Sequence, residues 1–443
     1  MRKKNIINII KKILEKHRKK NILYFRAIIH FIRYCFISSY RKNRCLIDPP
    51  QEFFYKYGKM GNYFSIFLFF FQKYLKKKKI LISINNDCNS SMGHIYGEIG
   101  QLHRMQKFEE IYLDKTVWFA TSRKEILGET KEIFENGNFK ILIGGVKRIF
   151  LTLVAIKYPS ISIDGSISHT NYILGKNHSD RVVFHDMPKQ HAKLICNTEN
   201  FYPNKDKVAN YDDEKKKLFQ NLKISKKYIV IQIKTFLSNG TLEPLDPNLF
   251  FKTIEYFQEK DFQIVFAGRE EFPEPFLNKS IINYATSKYA SALNDFLVIA
   301  HSSLVLSSGS GFCFLPESLD KPLLVINAHH ICQYFGRRTI YLPTLLSRKS
   351  EQFNARIQHE YLCTYGKRNG FFTFDDIYIH HMPTSEEIFM AAKELEEYMY
   401  NKVPNYTPLQ TKVRDGGKCP LLSDGLSNIS NYFLTKHENF FHQ

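Results

Sequence analysis

The sequence has no C-x-x-C pair among its eight cysteines, which are scattered at positions 35, 45, 88, 196, 313, 332, 363 and 419. That spacing argues against a structural zinc module and against a disulfide framework, and it reads as a chain of a reducing compartment. A run of about 20 apolar residues, the length a spanning helix needs, is also missing. The aromatic run from Tyr63 to Phe71 is only nine residues long. No small-residue cleavage site follows the first apolar stretch, so a secretory leader is not expected. Acidic residues are nearly missing from the first 80 positions, where Glu15, Asp48 and Glu52 stand against 21 Lys and Arg. This stretch holds a net +18 of the chain's +20, and everything after it is close to neutral. A nucleic-acid groove through the main body therefore has little electrostatic support.

What is present is a chain of 443 residues, 44% apolar and 24% charged, which excludes a disordered or collagen-like polymer and suffices for two or three domains. In its basic beginning, Ile6, Ile7, Ile9, Ile10, Ile13 and Leu14 fall in a helical arc of about 160°, with Lys11, Lys12, Lys16, Arg18 and Lys19 opposite. The segment Ile22 to Ile37 is more apolar, but Arg26, His30 and Arg33 form one stripe, and a central Arg is costly in a bilayer. A helix lying in a membrane interface fits, with the cluster KYLKKKK at Lys73 to Lys79 meeting anionic headgroups. Two other readings stand beside it: a basic helix packed on the protein's own body, and an RNA-binding arm.

From residue 79 the pattern becomes β-loop-α repetition, which predicts parallel sheets covered by helices. Strands are expected at Lys79 to Asn85, Thr116 to Ser122, Phe139 to Gly145 and 180–185, with a helix after the loop Asn86 to Gly93. A polar, Lys-rich stretch from Asn204 to Lys217 reads as a linker or an exposed helix. The second series has strands at Lys227 to Lys234, Phe262 to Gly268, Ser303 to Ser308 and Pro322 to Asn327. Its helices include one opened by Asp246 and Pro247, and one from Ser385 to Met399 with Ser385 as the cap. The expected organisation is a basic helical region at 1–78, an α/β unit at 79–215, a second at 216–400 and an irregular tail at 401–443 that packs back on them. Ligands of such sheets bind beyond the carboxyl ends of the strands.

Two loops occupy those positions. Ser308-Gly309-Ser310-Gly311 lies where a strand ends and a helix begins, and small hydroxyl-bearing residues with exposed backbone N–H groups suit a phosphate or diphosphate. Glu317 follows within the helix, placed to accept from a ribose diol. The competing reading is a tight turn that needs glycine for its backbone angles. No G-K-[ST] follows, so this is not a P-loop. The other loop is Asn89 to His94, with Glu98 one helical turn on. His94 would take a proton from a hydroxyl, oriented by Glu98, with Asp87 as the competing base; alternatively His94 only caps the helix. Gly268-Arg269 ends another strand, where Arg269 would reach a diphosphate or pair with Glu270 and Glu271. The pairs His329-His330 and His380-His381 lack further ligands at zinc spacing and read as loop histidines.

The segment Val305 to Asn327 resembles the donor-side motif of bacterial glycosyltransferases of the GT-B class, including heptosyltransferase-like enzymes. More of the chain is similar to a bacterial family associated with surface polysaccharide. The matching positions are Gln232-Ile233-Lys234, Gly268, Asn283-Tyr284-Ala285, the Ser-Gly turn, Ile326-Asn327, Tyr341-Leu342-Pro343 and Ile429 to Leu434, within roughly residues 225–435. Lys234 stands where that family usually has Arg, which keeps the charge but loses bidentate geometry. The resemblance implies two facing Rossmann-like domains, a nucleotide-sugar donor in the second half and an acceptor in the first. Donor-binding residues would be Lys234, Gly268, Arg269, Ser308, Gly309, Ser310, Gly311 and Glu317; catalytic ones His94, Glu98 and Asp87. The acceptor would be lipid-linked or an oligosaccharide. The enzyme would sit on the inner face of the cytoplasmic membrane, bound to anionic lipid through residues 1–80, with no nucleic-acid partner. No cofactor is expected beyond the donor, and without a suitable D-x-D no metal requirement. The rivals are a nucleotide-sugar 2-epimerase on the same fold and a non-catalytic polysaccharide-assembly protein.

Overall fold

The computed structural model describes residues 65–85, 92–108, 114–161 and 208–441, the last two ranges with breaks, the longest at 353–377. Residues 1–64, Asp87, the expected strand at 180–185 and the pair His329-His330 lie outside the described residues.

Helix α1 (Ser65–Lys77) turns at Lys78 and Lys79 into the first strand of a first sheet, which lies at its edge among the described residues. Strands β1 (Ile80–Ile84), β2 (Thr116–Thr121) and β3 (Phe139–Ile143) pair in parallel in that order. Helix α2 (Met92–Phe108) crosses between β1 and β2. β1 is buried at every position, which is why its sequence is a continuous apolar run rather than an alternation. One face packs Leu81, Val117, Phe119 and Ile141 under α2; the other sets Ile80, Ile82 and Ile84 against Leu68 and Leu75 of α1.

Helix α3 (Asp212–Leu222) opens the second series, so the expected domain border at 215/216 falls inside a helix. Its Leu218 and Leu222 join the core beneath β4 (Tyr228–Gln232). There follow α4 (Phe251–Glu259), β5 (Gln263–Phe266), β6 (Ile281–Asn283), α5 (Ala292–Ala300), β7 (Val305–Ser308), α6 (Phe314–Ser318), β8 (Leu323–Ala328) and β9 (Thr339–Pro343). Asp246 accepts from Asn248 N at 2.9 Å, capping the 3₁₀ turn Pro247–Phe250 that leads into α4. Ser291 caps α5 by accepting from Asn294 N at 3.2 Å.

The second sheet has seven strands in the order β13-β9-β8-β7-β4-β5-β6, all parallel. Counted from β4, six of them read 3-2-1-4-5-6, the Rossmann order, which reverses between β4 and β7. The seventh, β13 (Asn428–Ile429), comes from the stretch read as an irregular tail. Among the described residues that stretch also forms three helices, Pro408–Gly416, Asn431–Lys436 and Glu438–Phe441, and packs on α7 (Ser385–Tyr400). The cap of α7 is Thr384 rather than Ser385: Glu387 N donates to Thr384 Oγ1, and Glu387 Oε2 accepts from Thr384 N at 2.6 Å, a reciprocal capping box.

A small antiparallel sheet, β11-β10-β12, made of β10 (Leu345–Arg348), β11 (Glu351–Gln352) and β12 (Tyr378–His381), was not anticipated. It places His380 and His381 on a strand instead of a loop, with Ser347 Oγ 2.7 Å from His381 Nε2.

The two parallel sheets share one core through their helices. Phe134 and Phe296 meet edge to face at 5.8 Å. α2 lies directly on α6, so close that a Cβ on Gly97 would stand 3.1 Å from the Phe314 ring.

Candidate functional site

The reversal of strand order in the second sheet coincides with a cluster of hydroxyls. Gln232 is the last residue of β4, and Ser307 and Ser308 are the last of β7, its neighbour. Ser307 Oγ donates to Gln232 Oε1 at 2.7 Å; Ser308 Oγ and Ser310 Oγ stand 3.3 Å from the same oxygen. An amide oxygen has two lone pairs, so three hydroxyls cannot all be held well. The short bond to Ser307 dominates, and the two longer ones are the hydroxyls most easily turned toward another acceptor. Lys234 N donates to Ser308 Oγ at 2.9 Å, bringing the chain after β4 over the turn. The Lys234 amine is half-buried; burial pushes its pKa below the ordinary lysine value, and the Glu270 carboxylate partly restores it.

Gly309 lies against strand β8. Its N–H donates to Ile326 O at 2.7 Å, and a Cβ there would lie 3.1 Å from Asn327 O and 3.4 Å from Ala328 Cα. Its lack of a side chain answers to the close approach of strand β8, and not to a left-handed backbone angle. Asn327, buried at φ +61°, holds that carbonyl in place; Asn is among the few residues that take this conformation readily. Ser310 caps the 3₁₀ turn Gly311–Cys313 that leads into α6, accepting from Phe312 N at 3.3 Å. Glu317 is buried within α6 and pressed against Gly336, where a Cβ would come within 3.0 Å of its Cγ.

At the end of β5, Gly268 has φ +117°, a conformation suited to glycine, and a Cβ would come 2.6 Å from Glu270 Oε2 and 2.9 Å from Gln232 Cγ. The buried Glu270 carboxylate accepts from the backbone N of Arg269 at 3.0 Å, while the Arg269 side chain is exposed. Behind it, Tyr284 Oη donates to Asp295 Oδ1 at 2.7 Å. Burial raises the Asp295 carboxyl to about 6, against the opposing pull of the Tyr284 bond and the Arg269 charge. Glu270 and Asp295 are the residues sequence reasoning missed. The Asn-Tyr-Ala segment pointed near Asp295, but a buried partner 11 residues away has no local pattern.

In the first half Glu98 has a partner from the end of the strand before it. Its carboxylate is buried and accepts from Asn85 Nδ2 at 2.8 Å. Asn85 follows β1; its Oδ1 accepts from Thr121 at 3.3 Å and its backbone O from Arg148 Nε at 2.9 Å. Glu98 thus ties α2 to the residue that follows β1. His94 is the third residue of α2, but its side chain, like Asp87, is outside the described residues. The two candidate loops are linked, since α2 also packs on the turn Gly311–Cys313. Among the described residues no three His, Cys, Asp or Glu are placed to hold a metal ion.

Fold and site together define an α/β protein with two parallel sheets and a polar cluster where the second sheet reverses its order. No family model matches the chain, and no curated protein matches it either. Solved structures do. One is a glycosyl transferase of family 9 from Veillonella parvula, 10% identical, covering 72% of this chain and 98% of that one, with a TM-score of 0.43. Another is the ADP-heptose lipopolysaccharide heptosyltransferase II of E. coli, 12% identical, covering 60% and 90%, with a TM-score of 0.40. A third is the E. coli heptosyltransferase WaaC with ADP-2-deoxy-2-fluoro heptose, 11% identical, covering 59% and 92%, with a TM-score of 0.36.

Proposed function

We propose that the chain is a glycosyltransferase that moves a sugar from a nucleotide-sugar donor to a lipid-linked or oligosaccharide acceptor in surface polysaccharide synthesis. The observation that carries this reading is the convergence of Ser307, Ser308 and Ser310 on Gln232 Oε1, with Lys234 beside them, where the order of a Rossmann-type sheet reverses. Open α/β sheets bind ligands at that point, and hydroxyls with a cation suit a diphosphate. The first sheet would face this site and offer the acceptor. Transfer would be a direct displacement without a metal. His94, or Asp87 in its place, removes the acceptor proton as the new glycosidic bond forms and the sugar–phosphate bond breaks. Lys234, Arg269 and the loop hydroxyls stabilise the departing diphosphate. Attachment to the inner membrane surface through residues 1–80 would bring the enzyme to a lipid-linked acceptor. No helix of the described residues is long and apolar enough to cross a membrane.

A thermal-shift screen against nucleoside diphosphates and nucleotide sugars tests the reading, followed by transfer assays with the donor that binds. Stabilisation by one nucleotide family, with turnover only when acceptor is present, is the expected result. Turnover of donor alone would favour the 2-epimerase reading, and no binding by any nucleotide would overturn both.

A further inference from the structure

Helix α1 carries large apolar side chains on two faces, and among the described residues only one of them is packed. Leu68, Gln72 and Leu75 are buried, and Phe71 meets Phe150 at 4.9 Å, so this side is the contact with the first sheet. The opposite side carries Phe69, Phe70 and Tyr74, which are 42%, 63% and 48% exposed. These are three of the six large hydrophobic side chains that stand exposed among the described residues, gathered on one 13-residue helix. At about 100° per residue, Lys76, Phe69, Lys73, Lys77, Phe70 and Tyr74 follow one another around an arc of about 160°. Lys73 Nζ lies over the Phe69 ring at 4.5 Å from its centroid, so the rings and ammonium groups are interleaved. Lys78 and Lys79 continue the basic surface into β1, and all five lysines are exposed.

The geometry points to α1 as a platform that lies on an anionic bilayer, with Phe69, Phe70 and Tyr74 in the headgroup–acyl boundary and Lys73, Lys76 and Lys77 on lipid phosphates. Aromatic rings are favoured at that depth because a flat apolar body with a polar rim matches a half-hydrated layer, and long lysine stems let the charge reach the phosphates. The charge selects the occupant: Lys73, Lys76, Lys77 and Lys78 beside the rings fit an anionic surface, while Lys79 pairs with Asp114 at 2.5 Å. Orientation gives the platform a use. α1 is joined to β1 by two residues and packs back along it, so its Phe69–Phe70 end lies toward the carboxyl edge of the sheet, where Asn85 and the acceptor-side loop begin. The inference rests on the membrane attachment proposed above and assigns to α1, a folded part of the first domain, the contact that orients the site.

Flotation of the full chain with vesicles of phosphatidylcholine alone, or with about 30% phosphatidylglycerol, tests it. Two variants are compared with the unaltered chain: F69S/F70S/Y74S and K73Q/K76Q/K77Q, with circular dichroism as the folding control. The expected result is that the full chain floats on anionic vesicles, that the ring variant partitions about tenfold less, and that the lysine variant loses its preference for anionic lipid. If the full chain floats and both folded variants float equally well, residues 1–64 hold the membrane and the assignment to α1 is overturned, while membrane attachment stands. If the full chain does not float, both are overturned. A ring variant that floats normally but melts lower, or changes its mass in solution, would show the rings to be covered by protein instead, and would also overturn the assignment.

Discussion

The 2.7 Å hydrogen bond from Ser307 Oγ to Gln232 Oε1 ties the carboxyl end of β7 to that of β4, two strands 75 positions apart in sequence and adjacent in the sheet. It fixes the floor of the candidate donor site. Q232L removes the shorter of the two acceptors of Ser307 Oγ and leaves it the Ser308 carbonyl at 3.0 Å. It is expected to cost about 1–3 kcal/mol of stability and to abolish donor binding. S310A removes one of the longer contacts to Gln232 and the cap on Phe312 N, both at 3.3 Å and on a less buried residue. It should keep the fold and weaken donor binding by about tenfold, the worth of one hydrogen bond to a charged group. Denaturant titration and calorimetry separate the two effects; donor affinity unchanged in S310A would remove that hydroxyl from the site.

Substitution of Gly309 should act on the fold before it acts on any ligand. A Cβ would be 3.1 Å from Asn327 O, a backbone atom of a buried strand, so neither partner moves freely. G309V is expected to lose about 1–3 kcal/mol through overpacking, read as a lower melting temperature. A variant that melts normally yet no longer binds donor would restore the view that this glycine makes room for the ligand.

H94A is expected to lower transfer about 10²–10⁴-fold with donor affinity nearly unchanged, the range for loss of a general base. D87N belongs in the same experiment, because Asp87 precedes the same loop. Full activity in H94A with loss in D87N would assign the base to Asp87. E98Q should behave differently from both: its carboxylate is held by Asn85, so the expected phenotype is a destabilised loop and a lower melting temperature.

Glu387 ties α7 to the C-terminal segment, accepting from Lys436 Nζ at 2.9 Å and from His437 Nε2 at 2.7 Å. Burial alone would raise its pKa, but the bonds from His437, Thr384 and Lys436 outweigh that and bring the carboxyl from its ordinary 4.5 to about 2. A depressed folded pKa means that the stabilisation is fully present above about pH 4.5 and is lost as pH falls toward 2. E387Q should therefore be less stable than the natural chain at neutral pH, and the gap should narrow between pH 4.5 and 2. An unchanged gap across that window would mean the ionised form is not what the fold uses.

Much of the second half was legible because its signals are local. The apolar cores of β4, β5 and β8 are short unbroken runs, as buried parallel strands require, and Asp246-Pro247 marks a helix start in two residues. The Ser308–Gly311 turn was visible for the same reason. Other features had no local trace. Thr384 displaces Ser385 as the cap because Glu387 reaches back to it, and β13 pairs with β9 through only two residues, Asn428 and Ile429. Glu98 accepts from Asn85, 13 positions away in the sequence, across the turn from β1 into α2.

The sequence by itself determined the segments that become strands and helices, the concentration of positive charge in the first 80 residues, and the two loops at strand ends that bear polar side chains. These follow from composition and from periods of a few residues, which the chain carries without folding. Only the tertiary structure decided that β4 lies between β5 and β7, which makes Gln232 the partner of Ser307, and that Gly309 answers to the carbonyl of Asn327. It likewise decided that one face of α1 is spent on the sheet while Phe69, Phe70 and Tyr74 stay outside. Strand neighbours and burial are set by burying apolar surface and pairing backbone groups over the whole chain, so no window of the sequence contains them.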